Sequence, residues 1–502
     1  MIYIEKMLNN KTKLAILVLG VVGTILLLYC FGFGISGNDF WWHIKVGEWI
    51  CENGKVPTHD IFSWYGMEKD ISWTAHEWLA DVFFYKVFQF SGEVGIYIFS
   101  IICAMVLALL VLFQIKKYVC KNFLISAIYF FMFCISLSLF VYGRPHIFSY
   151  FFLFIEMKLI YDFLDKEYSK KIYFIPIVAC LWSNMHGGSS NLSYILCIAI
   201  IVSLVYKVKI GRIETEEVDK RKIKSLLIVC MLTFVGILVN PIGFRVLQYP
   251  YKSLSDNVMM TLISEWQAPD AKLIGNLVIY FFPIFLLTIG FVSENVKVKL
   301  RDIIMMLIFL FLFFRSARFI MLWYIAAPFY AFSYMPECKI KDTTMKNKKI
   351  LFIIVSCVCI MCSGGSIVKV INKTFDASII RKVLDDKMIE IIKEDNPERI
   401  FNDYNVGESL IYHDVEVFFD ARADLYSAYH ILEDGASLMY LEQGNSSAKE
   451  QGFDVEAVIE KYRFDGIVIL KDRALYSYLI SHEEKYKCIY EDEKSAYFKV
   501  EQ

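Results

Sequence analysis

Residues 37–60 read GNDFWWHIKVGEWICENGKVPTHD, and residues 72–90 read SWTAHEWLADVFFYKVFQF. Both belong to the stretch Gly34–Gly92, which separates an apolar run at about 14–33 from another at about 93–115. The stretch holds six of the chain's nine tryptophans, and Asp39, Asp60, Asp70, Glu77 and Asp81 add carboxylates. A connector between two apolar helices needs none of these groups. The pattern reads as a chemically equipped loop lying on a membrane surface, with the rest of the chain as its support.

Working outward, the chain has 502 residues, 57% hydrophobic and 21% charged. A soluble chain has about 45–50% apolar and about 25% charged residues. The apolar excess comes in blocks. Runs near the ~20 residues that cross a bilayer fall at about 14–33, 93–115, 122–142, 147–164, 172–184, 189–207, 225–240, 273–292, 303–314, 318–334 and 350–370. Residues 371–502 are charged and mixed. The expectation is a polytopic α-helical membrane protein with about 11 transmembrane helices over 1–370, and a small C-terminal α/β soluble domain over 371–502. A net charge of −1 gives no support for a nucleic-acid partner. The first run follows three lysines but is too long for a signal peptide and lacks an A-x-A site, so it reads as a retained helix. The 13 cysteines fall mostly inside apolar runs, as small hydrophobes.

Basic residues set the orientation. With the N-terminus in the cytoplasm, alternate loops hold the lysine-rich connectors, while the opposite set holds only ten basic residues: Lys45, Lys55, Lys69, Lys86, Arg144, Arg245, Lys252, Lys272, Arg315 and Arg318. An odd number of spans then puts the C-terminal domain outside the cytoplasm. The unusual polar turns all fall in that sparsely basic, extracytoplasmic set, and the chain is expected to be a multi-pass protein of the cell membrane.

In the first loop, Phe40, Trp41, Ile44, Trp49 and Ile50 come within reach of one helical face, as in Trp-rich segments of the headgroup layer. Gly54 and Pro57 end that helix. Thr74-Ala75-His76-Glu77 has capping-box spacing and is expected to open a second interfacial helix. In the tail, RIFNDY, VEVFFDAR and GIVILKD read as strands, DVEAVIEKYR and RALYSYLISHEEK as helices, and CIYED with SAYFKV as a closing hairpin. Asn445-Ser446-Ser447 fits the glycosylation sequon. There is no GxGxxG and no P-loop.

Several residues carry candidate chemistry. Asp39 stands where the chain leaves the first run, and can act as a general base on an acceptor hydroxyl or cap the next helix. Glu77 can orient an acceptor or a cation beside His43 and His76, or serve only the capping box. No cofactor is certain; a divalent cation is open, though Asp39, His43, His76 and Glu77 have no diagnostic metal spacing and no metal site is assigned. Arg144, before Pro145 and His146, offers a planar fork suited to phosphate, or snorkels to headgroups. His186 precedes Gly187-Gly188, where backbone can approach a ligand. Arg315 and Arg318 lie between two apolar spans and need a counter-ion, either a lipid-linked phosphate or Glu265. Asp420, Arg422 and Asp424 alternate, so a strand would set them on one face, for substrate or for an ion pair. Glu156, mid-span, reads as having an internal partner.

The motifs NDFWWHIKVGEWICENGKVPTHDIFSW, WTAHEWLADVFFY, RPHIFSY, NMHGG, NPIG, EWQAPD, RSARF, FNDYNVGESLIYH and FFDARADLY together resemble the GT-C membrane glycosyltransferases, in particular a bacterial polytopic group. The resemblance spans nearly the whole chain, and the first-loop motif is its most specific part. It implies a sugar taken from a polyprenyl-phosphate carrier on the outer face, with inversion. It further implies an acidic first-loop base, here Asp39, and a second acidic residue, here Glu77. Residue 38 is Asn where a paired acid would stand. The function expected is transfer of a sugar from a polyprenyl-phosphate-linked donor to a glycan, lipid or protein acceptor of the cell envelope. The rivals are a lipid-linked glycan polymerase or ligase, a transporter or flippase, and an assembly factor.

Overall fold

The computed structural model describes residues 11–31, 39–119, 121–141, 143–293, 297–335, 383–441 and 453–501. Ten of the apolar runs fall on helical segments: Lys11–Phe31, Trp78–Val119, Phe123–Phe140, His146–Asp165, Ile175–Met185, Leu192–Val205, Lys220–Leu238, Phe282–Ser293, Leu300–Arg315 and Ile320–Tyr330. The run at 350–370, the 370/371 boundary and the 445–447 sequon lie outside the described residues. Three helices among those described are long and apolar enough to cross a membrane: Trp78–Val119, Phe123–Phe140 and Gly187–Val205.

The chain forms two compact units. One, here the helical unit, comprises Met1–Ile35, Phe90–Asn240 and Glu265–Ile379. The other, the composite unit, gathers Ser36–Gln89, Pro241–Ser264 and Ile380–Gln502.

Inside the helical unit, Trp182, Trp323, Tyr129, Tyr324 and Phe130 are fully buried side chains, and aromatic volume dominates the packing. Glu156 is buried and accepts a hydrogen bond from Ser193 Oγ at 2.8 Å, the internal partner expected for it. At one end of this unit, Arg301 pairs with Asp165 and with Glu216 (2.8 Å) and lies 3.6 Å from Asp302. Tyr161 and Tyr334 each donate to Asp302 at 2.7 Å. Lys299 joins Glu216 at 2.6 Å and Asp165 at 3.1 Å. A charge buried here is tolerated because each has an opposite partner, and Asp302 has two hydroxyl donors besides.

The composite unit is built on a four-stranded sheet. Ile400–Asn402 runs parallel to Gly466–Leu470, which is antiparallel to Ser495–Val500, which in turn pairs with Tyr486–Glu491. The helices Val455–Tyr462 and Ala474–Ile480 fall where the sequence placed them. VEVFFDAR, expected as a strand, is not one. The Asn402 side chain takes the place of a neighbouring strand: its Oδ1 accepts from the Phe418 amide at 2.8 Å, and its Nδ2 donates to the Phe419 carbonyl at 2.8 Å. An Asn amide has the donor and acceptor that a strand edge would supply. Ala423–Tyr426 is then one helical turn, so Asp420, Arg422 and Asp424 do not share a strand face.

The first loop folds into this unit. Val417 exchanges backbone bonds with both Trp64 (3.0 Å) and Phe62 (3.1 Å), and the Trp64 indole donates to the Ile400 carbonyl at 3.0 Å. The helix Phe40–Asn53 ends at Gly54, whose φ of 64° is the left-handed C-cap glycine adopts without strain. Its aromatic face, expected in the headgroup layer, is instead buried: Phe40, Trp41, Trp42, His43 and Ile44 pack inward, with Trp41 4.2 Å from Tyr412 between ring centroids. Trp41 and Trp42 therefore fill protein interior, while Trp49 is half-buried. The capping box at Thr74 does not form either. The next helix begins at Trp78, and the Thr74 carbonyl instead accepts from the His76 amide at 2.7 Å. Glu77 becomes the residue just before the helix, its carbonyl accepting the Asp81 amide at 3.0 Å.

Candidate functional site

A cavity of about 420 Å³, mouth included, opens in the helical unit. The turns after Phe140, Met185 and Arg315 meet there with the segment at 265–267. Arg144, His146, Ser149, His186, Ser189, Glu265 and Arg318 supply its polar lining, and Phe140, Tyr150, Phe319 and Leu322 its apolar wall. Arg144 Nη1 donates to both Glu265 carboxylate oxygens, at 3.0 and 2.9 Å. The Glu265 backbone is itself anchored: Ser316 Oγ donates to its carbonyl at 2.9 Å, and the Ala317 amide donates to the Gln267 carbonyl at 2.9 Å. The Arg318 guanidinium lies over the Trp266 ring, 4.5 Å from its centroid. Burial alone would raise the Glu265 carboxyl, but Arg144 and Arg318 outweigh it and hold the group below the ordinary range.

His186 is fixed by a hydrogen-bond network. Trp182 Nε1 donates to Ser149 Oγ at 2.7 Å and reaches Ser189 Oγ at 3.2 Å. The two hydroxyls lie 2.8 Å apart, and 2.6 and 2.9 Å from His186 Nδ1. An indole N–H can only donate, so it leaves the hydroxyl protons to pass onward. Where a hydroxyl proton passes to Nδ1, the neutral ring carries its own proton on Nε2 as a donor. His146 donates from Nε2 to the Phe140 carbonyl, which sets its tautomer too. Of the residues expected to meet substrate, Arg144, His146, His186, Glu265 and Arg318 come together here; Arg315 ends the helix Leu300–Arg315 and is not among the lining residues. Sequence reasoning missed Ser149, Ser189 and Trp182. Ser149 follows His146 by three residues and Ser189 follows His186 by three, a spacing that sets side chains on one side of a helix.

The composite unit holds the acidic and imidazole candidates. Asp39 occupies the N-cap position of Phe40–Asn53, but its side chain makes no capping bond. Burial, and then Asp39, Asp420, Glu408 and Asp424, push the Tyr404 hydroxyl well up, so Asp39 and Asp424 both bear on one phenol. His43 Nδ1 bonds Asp81 Oδ1 at 2.6 Å, and its Nε2 lies 4.0 Å from Glu77. His76 Nε2 lies 3.7 Å from the other Glu77 oxygen. Two imidazole nitrogens thus flank one carboxylate, one beside each of its oxygens. Burial, with Glu77 adding, raises the Asp81 carboxyl well above the ordinary range. This arrangement needs helices that nearly touch: a Cβ on Gly47 would sit 2.2 Å from the Asp81 carbonyl oxygen. The His76 ring stacks on Tyr249 with centroids 3.8 Å apart, and Tyr249 hydrogen-bonds Asp424. Burial pushes the Asp424 carboxyl up to about 6.

Asp420 and Arg422 were expected to meet substrate. Instead they are 0% and 2% exposed, and Arg422 Nη2 reaches Asp420 Oδ2 at 2.6 Å and Asp60 Oδ1 at 2.9 Å. Its guanidinium lies 4.8 Å from the Trp73 ring centroid and 5.1 Å from that of Phe62. This ion triad ties the first loop to the tail segment from within, which leaves it no face for a ligand.

No family model matches the sequence, and a search of curated proteins finds no significant match. Solved structures do match. Archaeal oligosaccharyltransferase AglB from Archaeoglobus fulgidus, in complex with an inhibitory peptide and a dolichol-phosphate, aligns with a TM-score of 0.51 at 11% identity, over 91% of this chain and 69% of that one. The apo form of the Archaeoglobus fulgidus oligosaccharyltransferase gives 0.52 at 11% identity, over 90% and 69%. The same enzyme tethered to an acceptor peptide gives 0.54 at 12% identity, over 97% and 74%. At such identity the likeness is one of fold. The chain shares the fold of these oligosaccharyltransferases.

Proposed function

We propose that the chain is a membrane glycosyltransferase that moves a sugar from a polyprenyl-phosphate-linked donor to a glycan, lipid or protein acceptor of the cell envelope. In this reading the N-terminus is cytoplasmic, the reaction occurs on the outer face, and residues 371–502 are extracytoplasmic. The observation that carries the proposal is the helical unit's cavity, where Arg144 and Arg318 line the wall with one carboxylate and two histidines. Its fold is that of an oligosaccharyltransferase whose solved complex contains a dolichol-phosphate.

Each group then has a role. Arg144 and Arg318 hold the phosphate and stabilise the charge it gains as the glycosidic bond breaks. The His186 Nε2 proton donates to a phosphate oxygen. Asp39, at the start of Phe40–Asn53, takes the proton of the acceptor hydroxyl that attacks the anomeric carbon. Glu77, between His43 and His76, orients the acceptor. A divalent cation bound there would supply additional positive charge.

The test is turnover of a radiolabelled polyprenyl-phosphate sugar by membranes carrying the wild type or Asp39→Asn. A positioned base contributes about 10²–10⁴-fold, so the variant should lose that much rate. Equal turnover would remove Asp39 from the mechanism.

A further inference from the structure

The polar lining of the helical unit's cavity carries two guanidiniums, Arg144 and Arg318, against one carboxylate, Glu265. Its two hydroxyls are uncharged, and its imidazoles each have one ring nitrogen committed to a neighbour. The lining's own fixed charge is therefore a single positive excess. A phosphodiester carries one negative charge and would balance it. A diphosphate diester carries two and would leave one negative charge over, inside a partly buried site where an uncompensated charge is costly.

Glu265 is built into this position. Ser316 holds its carbonyl, the next backbone contact joins Gln267 to Ala317, and the adjoining Trp266 lies beneath Arg318. The same turn that places Arg318 thus places the acid that half-neutralises the pair. Its two oxygens face Arg144 Nη1, so it takes up part of the cationic capacity that a second phosphate would need. The Ser149–Ser189–Trp182 network offers hydrogen bonds without charge, which suits one phosphate group's remaining oxygens.

We infer that Glu265 is a specificity-determining residue that tunes the cavity to a singly charged, monophosphate-linked donor and against a diphosphate-linked one. The inference rests on the proposed lipid-phosphate function and names the charge class it accepts. Like-charge placement against a wrong ligand is a common route to discrimination.

The experiment uses the full chain in detergent or nanodiscs, with two probes: a short-chain polyprenyl monophosphate sugar and the corresponding polyprenyl diphosphate sugar. Wild type should bind the monophosphate-linked probe at least about tenfold more tightly. Glu265→Gln, which keeps the shape and removes the charge, should shrink or reverse that ratio by about tenfold, while Glu265→Asp should keep its direction. Wild type that prefers the diphosphate overturns the inference without any variant. A ratio unmoved in folded Glu265→Gln also overturns it, and leaves phosphate binding standing. Wild type that binds neither probe removes the proposed function itself.

Discussion

The two ends of the helical unit treat arginine in opposite ways. At one end Arg301 is only 3% exposed and is surrounded by Asp165, Glu216 and Asp302, with Lys299 sharing two of those acids. Acids match or outnumber bases, and two tyrosine hydroxyls donate to Asp302. At the cavity end two arginines share Glu265, and the neighbouring groups are neutral donors and acceptors. The first arrangement is closed chemistry that holds helices together. The second leaves the cavity lining with one more cation than anion, and that imbalance separates a binding site from a structural ion cluster.

Three measurements sharpen or break this contrast. The largest effect is expected from Arg301→Leu, which leaves buried Asp302 without its nearest cation; such a loss costs about 3–5 kcal/mol. The denaturation midpoint of the purified chain should fall steeply. Arg144→Leu exposes only a half-buried Glu265 and should cost under about 1 kcal/mol of stability while weakening phosphate binding. Equal destabilisation by the two variants would dissolve the distinction between the ends.

A smaller effect is expected from Trp182→Phe, which keeps the ring and deletes the donor. One neutral hydrogen bond is worth about 0.5–1.5 kcal/mol. The expected readout is a loss of donor affinity of a few-fold, with Ser149→Ala added to it giving little further change because both act through His186. Fully additive losses in the double variant would show that the network does not converge on His186 Nδ1.

The smallest effect concerns the composite unit, where the acid is half-buried instead of surplus-paired. Asp424 is raised from an ordinary 3.8 to about 6 in the folded state. The folded form therefore holds the proton that the unfolded form releases. The stability this lends is present below about pH 4 and is lost as pH rises through about 6. Asp424→Asn should flatten the change in melting temperature across that window, as followed by circular dichroism. An identical slope in the variant would assign the pH dependence to another group.

Much of the helical architecture was legible in the sequence because apolar runs and punctuating glycines and prolines act locally. Gly54 ending its helix and Ser193 partnering Glu156 needed only spacing or polarity to anticipate. The misreadings have a common cause, since each was settled by a distant partner. VEVFFDAR has strand composition, but the Asn402 side chain occupies the ladder positions. The tryptophans of Phe40–Asn53 looked lipid-facing until residues some 370 positions later covered them, as Tyr412 covers Trp41. Asp420 and Arg422 looked like a ligand face, and Asp60 consumed it. At the cavity, Arg144, His146, His186 and Arg318 were visible as polar breaks between apolar runs, whereas Trp182 was hidden inside one.

Gly47 carries a consequence for anyone altering this protein. With a Cβ there placed 2.2 Å from the Asp81 carbonyl oxygen, even alanine must push two backbones apart. A single methyl group would thus pull Asp81 from His43 without touching either side chain. In a saturation library that position should be nearly monomorphic, and a spectroscopic label meant for the first loop belongs on exposed Cys51 instead.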